Sequence, residues 1–137
     1  METGGYKGRS RDMPPPKLHQ AITAKLGVAS ARIICEYGMC ELSSQAYDGK
    51  LGQANTAPRL FRFPPWARAR VVSPETLVDV ELGQAGLLQV VDLANVGSAL
   101  SLQTEDLARQ HACGFELLGR AELAESRGCS LMNLSHA

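Results

Sequence analysis

Leu18, Ile22 and Leu26 stand four residues apart, the spacing that puts apolar side chains on one face of a helix. Pro14, Pro15 and Pro16 come just before, where a fixed φ suits a first turn, and Gly27 follows as a natural stop. Ala31 to Cys35 is a short apolar run that predicts a buried strand, with Glu36-Tyr37-Gly38 at its C-terminal end. Ligands gather at that end of a strand in open α/β sheets. Residues 43–65 carry Gly49, Gly52, Pro58, Pro64 and Pro65 and read as loop, as do the Gly-rich, basic residues 1–12. From Trp66 the period changes to two: Ala67, Ala69 and Val71 alternate with Arg68, Arg70 and Val72. Ser73-Pro74-Glu75-Thr76 predicts a turn, Gly83 and Gly86 flank another, and Leu87 to Val91 predicts a strand. Leu100–Gln103 and Phe115–Leu118 predict shorter strands. The expected class is α+β: a short helix–strand unit over 1–65, then a small antiparallel sheet or distorted barrel over 66–137.

Composition narrows the use of such a chain. Its 137 residues suffice for one modest core. Lys+Arg and Asp+Glu both number 14, which gives no long-range attraction to nucleic acid or anionic membrane. Gln89, Asp92 and Asn95 interrupt the longest apolar stretch, so no membrane span is expected. The first residues carry no apolar h-region, and a cytoplasmic protein is expected. Cys35, Cys40, Cys113 and Cys129 are then expected to stay reduced. They form no Cys-x-x-Cys pair, and His19, His111 and His136 are scattered. Zinc is not expected, and Cys35 and Cys113 read as ordinary buried thiols.

Candidate chemistry comes from an ordered series: Glu36-Tyr37-Gly38-Met39-Cys40-Glu41, then Thr104-Glu105-Asp106-Leu107, then Gly119-Arg120. A ring can cover a base, one acid can reach a metal, and another can take ribose hydroxyls. A guanidinium can meet phosphate or ribose oxygens. Each residue also has a plainer use. Tyr37 could be a core aromatic, Glu41 a solvated acid, and Asp106 a helix N-cap before Leu107-Ala108-Arg109. Arg120 could pair with Glu122 on the surface. These plainer uses do not predict the order. Lys7 lacks the spacing of a phosphate-binding P-loop and reads as a loop lysine.

The order and spacing resemble the second half of the nucleotide site of adenylate-forming ligases. Thr3-Gly4-Gly5-Tyr6-Lys7-Gly8-Arg9, the Glu36 to Gln45 segment, Pro64-Pro65-Trp66-Ala67-Arg68, Asp92-Leu93-Ala94-Asn95 and Arg127-Gly128-Cys129-Ser130-Leu131 together resemble an acyl-protein synthetase. That family is the fatty-acid-activating subunit of the bioluminescence fatty acid reductase. The resemblance runs from Thr3 to about Met132 and matches the C-terminal portion of such a protein. It implies that a fatty acid carboxylate attacks the α-phosphate of ATP, giving acyl-adenylate and pyrophosphate. A cysteine then takes the acyl group as a thioester, and an acyl-CoA reductase-type partner converts it to aldehyde. By position, Tyr37 and Gly38 would sit at adenine beside the Gly4-Gly5 loop, and Glu41 would help hold Mg²⁺. Asp106 would bind the ribose hydroxyls, Arg120 ribose or phosphate, and Cys129 would accept the acyl group. Arg127 could favour the Cys129 thiolate and Gly128 leaves room for an adenylate, although a small buried hydrophobe is the commoner fate of a free cysteine.

Two departures qualify the expected activity. Cys40 stands where this motif usually has threonine, and a thiol is a weaker hydrogen-bond partner than a hydroxyl. The sequence also holds no Ser/Thr/Gly-rich phosphate loop and no lysine after Arg120. The expectation is therefore part of an ATP-dependent fatty acid–protein ligase, inactive alone, with a complementary N-terminal ligase segment as a candidate partner. The alternative is a non-catalytic remnant acting as a small interaction module.

Overall fold

The proline-started helix is α1, Pro15–Leu26, in a computed structural model that describes residues 1–3, 13–50, 53 and 58–121. Gly27 ends it in the left-handed region at φ 67°, and its N–H donates to the Thr23 carbonyl at 3.0 Å. The helix ends thus follow the local chemistry. Its buried face does not, because α1 buries His19, while Leu26 is 72% exposed.

The strand expected over Ala31–Cys35 is displaced. Ser30–Arg32 form a 3-10 turn, with the Arg32 and Ile33 amides donating to Ala29 and Ser30, so the chain becomes extended only from Cys35. Strand β2, Cys35–Tyr37, pairs in parallel with β1, Glu2–Thr3, and antiparallel with β3, Ala46–Tyr47. The expected N-terminal loop therefore contributes an edge strand.

Four antiparallel strands follow in sequential order: β4, Ala67–Val72; β5, Ala85–Asp92; β6, Ser101–His111; and β7, Gly114–Arg120. The α+β class stands. β6 and β7 run past their expected apolar segments; in β6, Gln103 and Glu105 occupy outward positions that interrupt any apolar run. Asp106 lies inside β6, directly opposite Arg120 on β7, and caps no helix. Cys113 sits exposed in the β6–β7 turn rather than buried.

One core joins residues on both sides of position 65. Tyr37, Leu42 and Ala46 pack with Val71, Leu88, Val90, Ala108 and Phe115. Two close approaches set its dimensions. A Cβ on Gly86 would stand 2.4 Å from the Val72 carbonyl oxygen, and one on Gly114, at φ 144°, equally close to that of Phe61. The second contact lets Phe61 and Phe115 exchange backbone hydrogen bonds of 2.8 and 3.1 Å, which brings the 61–63 segment against Tyr37.

Candidate functional site

Three of the predicted residues meet. Tyr37 ends β2, and its hydroxyl donates to Asp106 Oδ2 at 2.7 Å, across 69 residues of sequence. Arg120 Nε lies 3.5 Å from Asp106 Oδ1, and Arg120 Nη2 lies 3.6 Å from Glu105. Exposure rises along this line, from 7% for Tyr37 to 18% for the Asp106 side chain and 59% for that of Arg120. A pair as open as Asp106–Arg120 contributes about 0–1 kcal/mol, so the guanidinium is free to turn toward a ligand.

The Tyr37 ring is packed near-perpendicular to Phe115 and Phe63, with centroids 5.6 and 6.3 Å away, and it also meets Phe61 at 6.2 Å. Burial, then the bond to Asp106 and its charge, hold the phenol pKa above its ordinary value; the Thr104 hydroxyl and Arg120 act the other way. Tyr37 therefore remains a donor at neutral pH. In this arrangement it steadies Asp106, and stacking on a base would require the phenylalanine cluster to open.

Glu41 stands apart, exposed, with no side-chain partner among the described residues. One free carboxylate suits Mg²⁺, which commonly takes one or two carboxylates, several waters and substrate phosphate oxygens. Gly38 is exposed, and a Cβ there would press on Gln45 at 3.2 Å. Cys40 is exposed as well. Gly4, Gly5, Glu122 and Cys129 lie outside the described residues.

A polar clamp next to Glu41 had no role assigned from the sequence. Asp92, fully buried, accepts from the Ser43 and Ser44 amides at 3.1 and 2.8 Å, the Ser44 hydroxyl at 2.9 Å and the Ala94 amide at 3.0 Å. Asn95 Oδ1 accepts from the Ser43 amide and hydroxyl at 2.8 and 2.6 Å, while its Nδ2 donates to the carbonyls of Glu41 and Ala99. Trp66 Nε1 donates to the Ser44 hydroxyl at 3.1 Å. Burial acts to raise the Asp92 pKa, but the amides of Ala94, Ser44 and Ser43 and the Ser44 hydroxyl outweigh it, so the carboxyl titrates below its ordinary value. The signal was present in the Asp92-to-Asn95 and Pro64-Pro65-Trp66 segments. Their function is to hold the loop that carries Glu41.

The described residues also line an open cavity of about 610 Å³ beside this loop. Ser43, Gln45, Lys50, Arg62, Phe63 and Trp66 face it, and none of the predicted site residues does. Its described lining mixes polar and aromatic residues and includes two cations and no acid. Elsewhere, Cys35 offers no rival nucleophile: burial first, then Glu2 and Asp48, push its thiol pKa far up.

The fold that carries these groups recurs as part of larger solved structures. Apo MatB from Rhodopseudomonas palustris is 23% identical over 82% of this chain, with a TM-score of 0.54. CmiS6 is 19% identical over 87%, also at 0.54, and the ATP-bound RpMatB-BxBclM chimera B3 is 25% identical over 74%, at 0.50. The chain spans 24%, 33% and 22% of these proteins, respectively. No protein-family model and no curated protein matches it. No helix among the described residues is long and apolar enough to cross a membrane.

Proposed function

We propose that this chain is the adenosine-gripping part of an ATP-dependent ligase that activates a long-chain fatty acid for transfer to a cysteine thiol. The observation that carries the reading is the meeting of Tyr37, Asp106 and Arg120 from three strands. The ATP in one structurally similar protein supports it. In this reading Asp106 accepts from the ribose hydroxyls, and Arg120 swings from Asp106 to ribose or phosphate oxygens. Tyr37 holds Asp106 beneath adenine near Gly38 and the Gly4-Gly5 loop. Mg²⁺ at Glu41 would neutralise phosphate charge. Cys129 would take the acyl group from acyl-adenylate, AMP leaving, and pass the thioester to a reductase partner.

The magnitudes predict weak binding by the chain alone. Charged hydrogen bonds from Asp106 supply about 1.5–3 kcal/mol, and stacking on Tyr37, which would first need the phenylalanine cluster to open, adds at most about 1–3 kcal/mol. Ordering each side chain costs about 0.5–1.5 kcal/mol, and millimolar affinity already requires about 4 kcal/mol. Calorimetry should therefore give a millimolar Kd for ATP or weaker. Adding a complementary N-terminal ligase polypeptide, ATP and labelled fatty acid should label Cys129. No label in any such mixture would count against the proposal.

A second reading, a non-catalytic interaction module, has one observation in its favour. Leu77, Val78 and Leu82, between β4 and β5, are 57%, 63% and 66% exposed, an apolar surface suited to a partner. Pyrophosphate exchange by the purified chain alone would eliminate it.

A further inference from the structure

Helix α1 buries a histidine although its sequence offers leucine, and what faces that histidine is a ligand set. His19 Nε2 lies 2.9 Å from Glu2 Oε1, Cys35 Sγ lies 2.5 Å from the same oxygen, and Sγ and Nε2 are 3.7 Å apart. One nitrogen, one oxygen and one sulfur from three different elements thus converge, with His19 only 5% exposed. We propose that Glu2, His19 and Cys35 bind one zinc ion, with water as the fourth ligand, stapling β1 to α1 and β2.

The donor types select the metal. Thiolate and imidazole disfavour Mg²⁺ and Ca²⁺, and a carboxylate plus a thiolate neutralise a divalent cation. Zinc bonds of about 2.0–2.3 Å set tetrahedral edges of about 3.3–3.7 Å. The separation of Sγ from Nε2 already fits. Glu2 must withdraw by about 1 Å or less to reach the same edges, a movement its side-chain torsions allow. On binding, the Cys35 thiol proton leaves to solvent and the imidazole proton passes from Nε2 to Nδ1, freeing the Nε2 lone pair.

That exchange costs one contact. Arg59 Nη1 lies 3.3 Å from His19 Nδ1 and, as a donor only, must release it once Nδ1 is protonated. Arg59 retains Asp48 through Nε and the Ile33 carbonyl through Nη2, both at 2.5 Å. Asp48 also accepts the Cys35 amide at 2.7 Å, which fixes the backbone behind the sulfur. The spacings of 17 and 16 residues from His19 to Glu2 and Cys35 match no zinc motif, so the sequence pointed away from zinc.

The test uses the full chain with Cys40→Ser, Cys113→Ser and Cys129→Ser, leaving Cys35 as its one thiol. Titration with Co²⁺ should reach one ion per chain, with a thiolate-to-cobalt charge-transfer band and the visible intensity of tetrahedral cobalt, both bleached by Zn²⁺. Zinc should raise the melting midpoint. Cys35→Ser should lose the charge-transfer band. Glu2→Gln and His19→Gln should each weaken zinc binding about ten-fold or more while retaining the circular-dichroism spectrum. No charge-transfer band in the parent, or unchanged zinc affinity in both Glu2→Gln and His19→Gln, overturns the proposal. If Cys35→Ser does not fold, Glu2→Gln decides, since glutamine preserves side-chain length and a hydrogen-bonding oxygen.

Discussion

Asp92 and Asp106 are carboxylates on adjacent strands of one sheet, yet they face opposite demands. Asp92 is fully buried and accepts from four donors, which fills the capacity of its two oxygens. Asp106 takes one short bond from Tyr37 and a long, exposed contact from Arg120. A saturated acid holds structure, whereas an acid with spare lone pairs can receive a ligand. On this ground Asp92 positions the Glu41 loop, and Asp106 is the acid that the proposed function assigns to a ribose diol.

Removing Asp92 should do the most damage. Asp92→Ala takes the acceptor from the buried Ser44 amide and hydroxyl, while the Ser43 amide keeps Asn95 and the exposed Ala94 amide reaches water. It should cost about 3–4 kcal/mol in urea unfolding, since each unsatisfied buried group costs about 1–3 kcal/mol. A cost below that of Asp106→Ala would erase the contrast between the two acids. The same residue predicts an acid limb. Because its folded pKa lies below 3.8, the unfolded chain binds more protons between the two values, and stability rises with pH through that window. The stabilisation should be complete above about pH 4–5 and fall away under stronger acid, and Asp92→Asn should flatten that limb.

Tyr37→Phe sharpens the other side. It should cost about 1–2 kcal/mol, the worth of a hydrogen bond to a charged group less partial hydration. The folded phenol keeps its proton above its ordinary value of 10.0, so this contribution is full below pH 10 and lost as pH rises beyond it. Tyr37→Phe should remove that alkaline limb. Asp106→Asn should change stability by about 1 kcal/mol or less yet abolish measurable ATP binding by nuclear magnetic resonance titration; retained binding would move the ribose site elsewhere. Trp66→Phe should have the smallest effect, about 0.5–1 kcal/mol for one neutral hydrogen bond to Ser44, read from the urea midpoint.

Legibility followed the range of the interaction. Pro15 and Gly27 act on their own backbone, so the ends of α1 could be read directly. The apolar run Leu87–Val91 revealed most of β5, and alternation revealed β4. It understated β6, where Thr104, Asp106 and Gln110 take partly buried positions and hide the pattern. Ala31 looked like strand, but local 3-10 hydrogen bonds claimed it. The order of Tyr37, Asp106 and Arg120 was visible, and so was their candidate chemistry. Their contact was not, nor was the role of Asp92 and Asn95.

The amino-acid sequence alone determined where the backbone starts and stops its helix and that β4 and β5 extend, and it offered the side chains proposed to serve a nucleotide. Tertiary structure decided that Tyr37 lends its hydroxyl to Asp106 from within a phenylalanine cluster, that Asp92 clamps the Glu41 loop, and that His19 lies beside Cys35 and Glu2. The physical reason is distance along the chain. Turns and periods are encoded within a few neighbouring residues, whereas these contacts join groups separated by 16 to 69 residues and exist only once the sheets have packed.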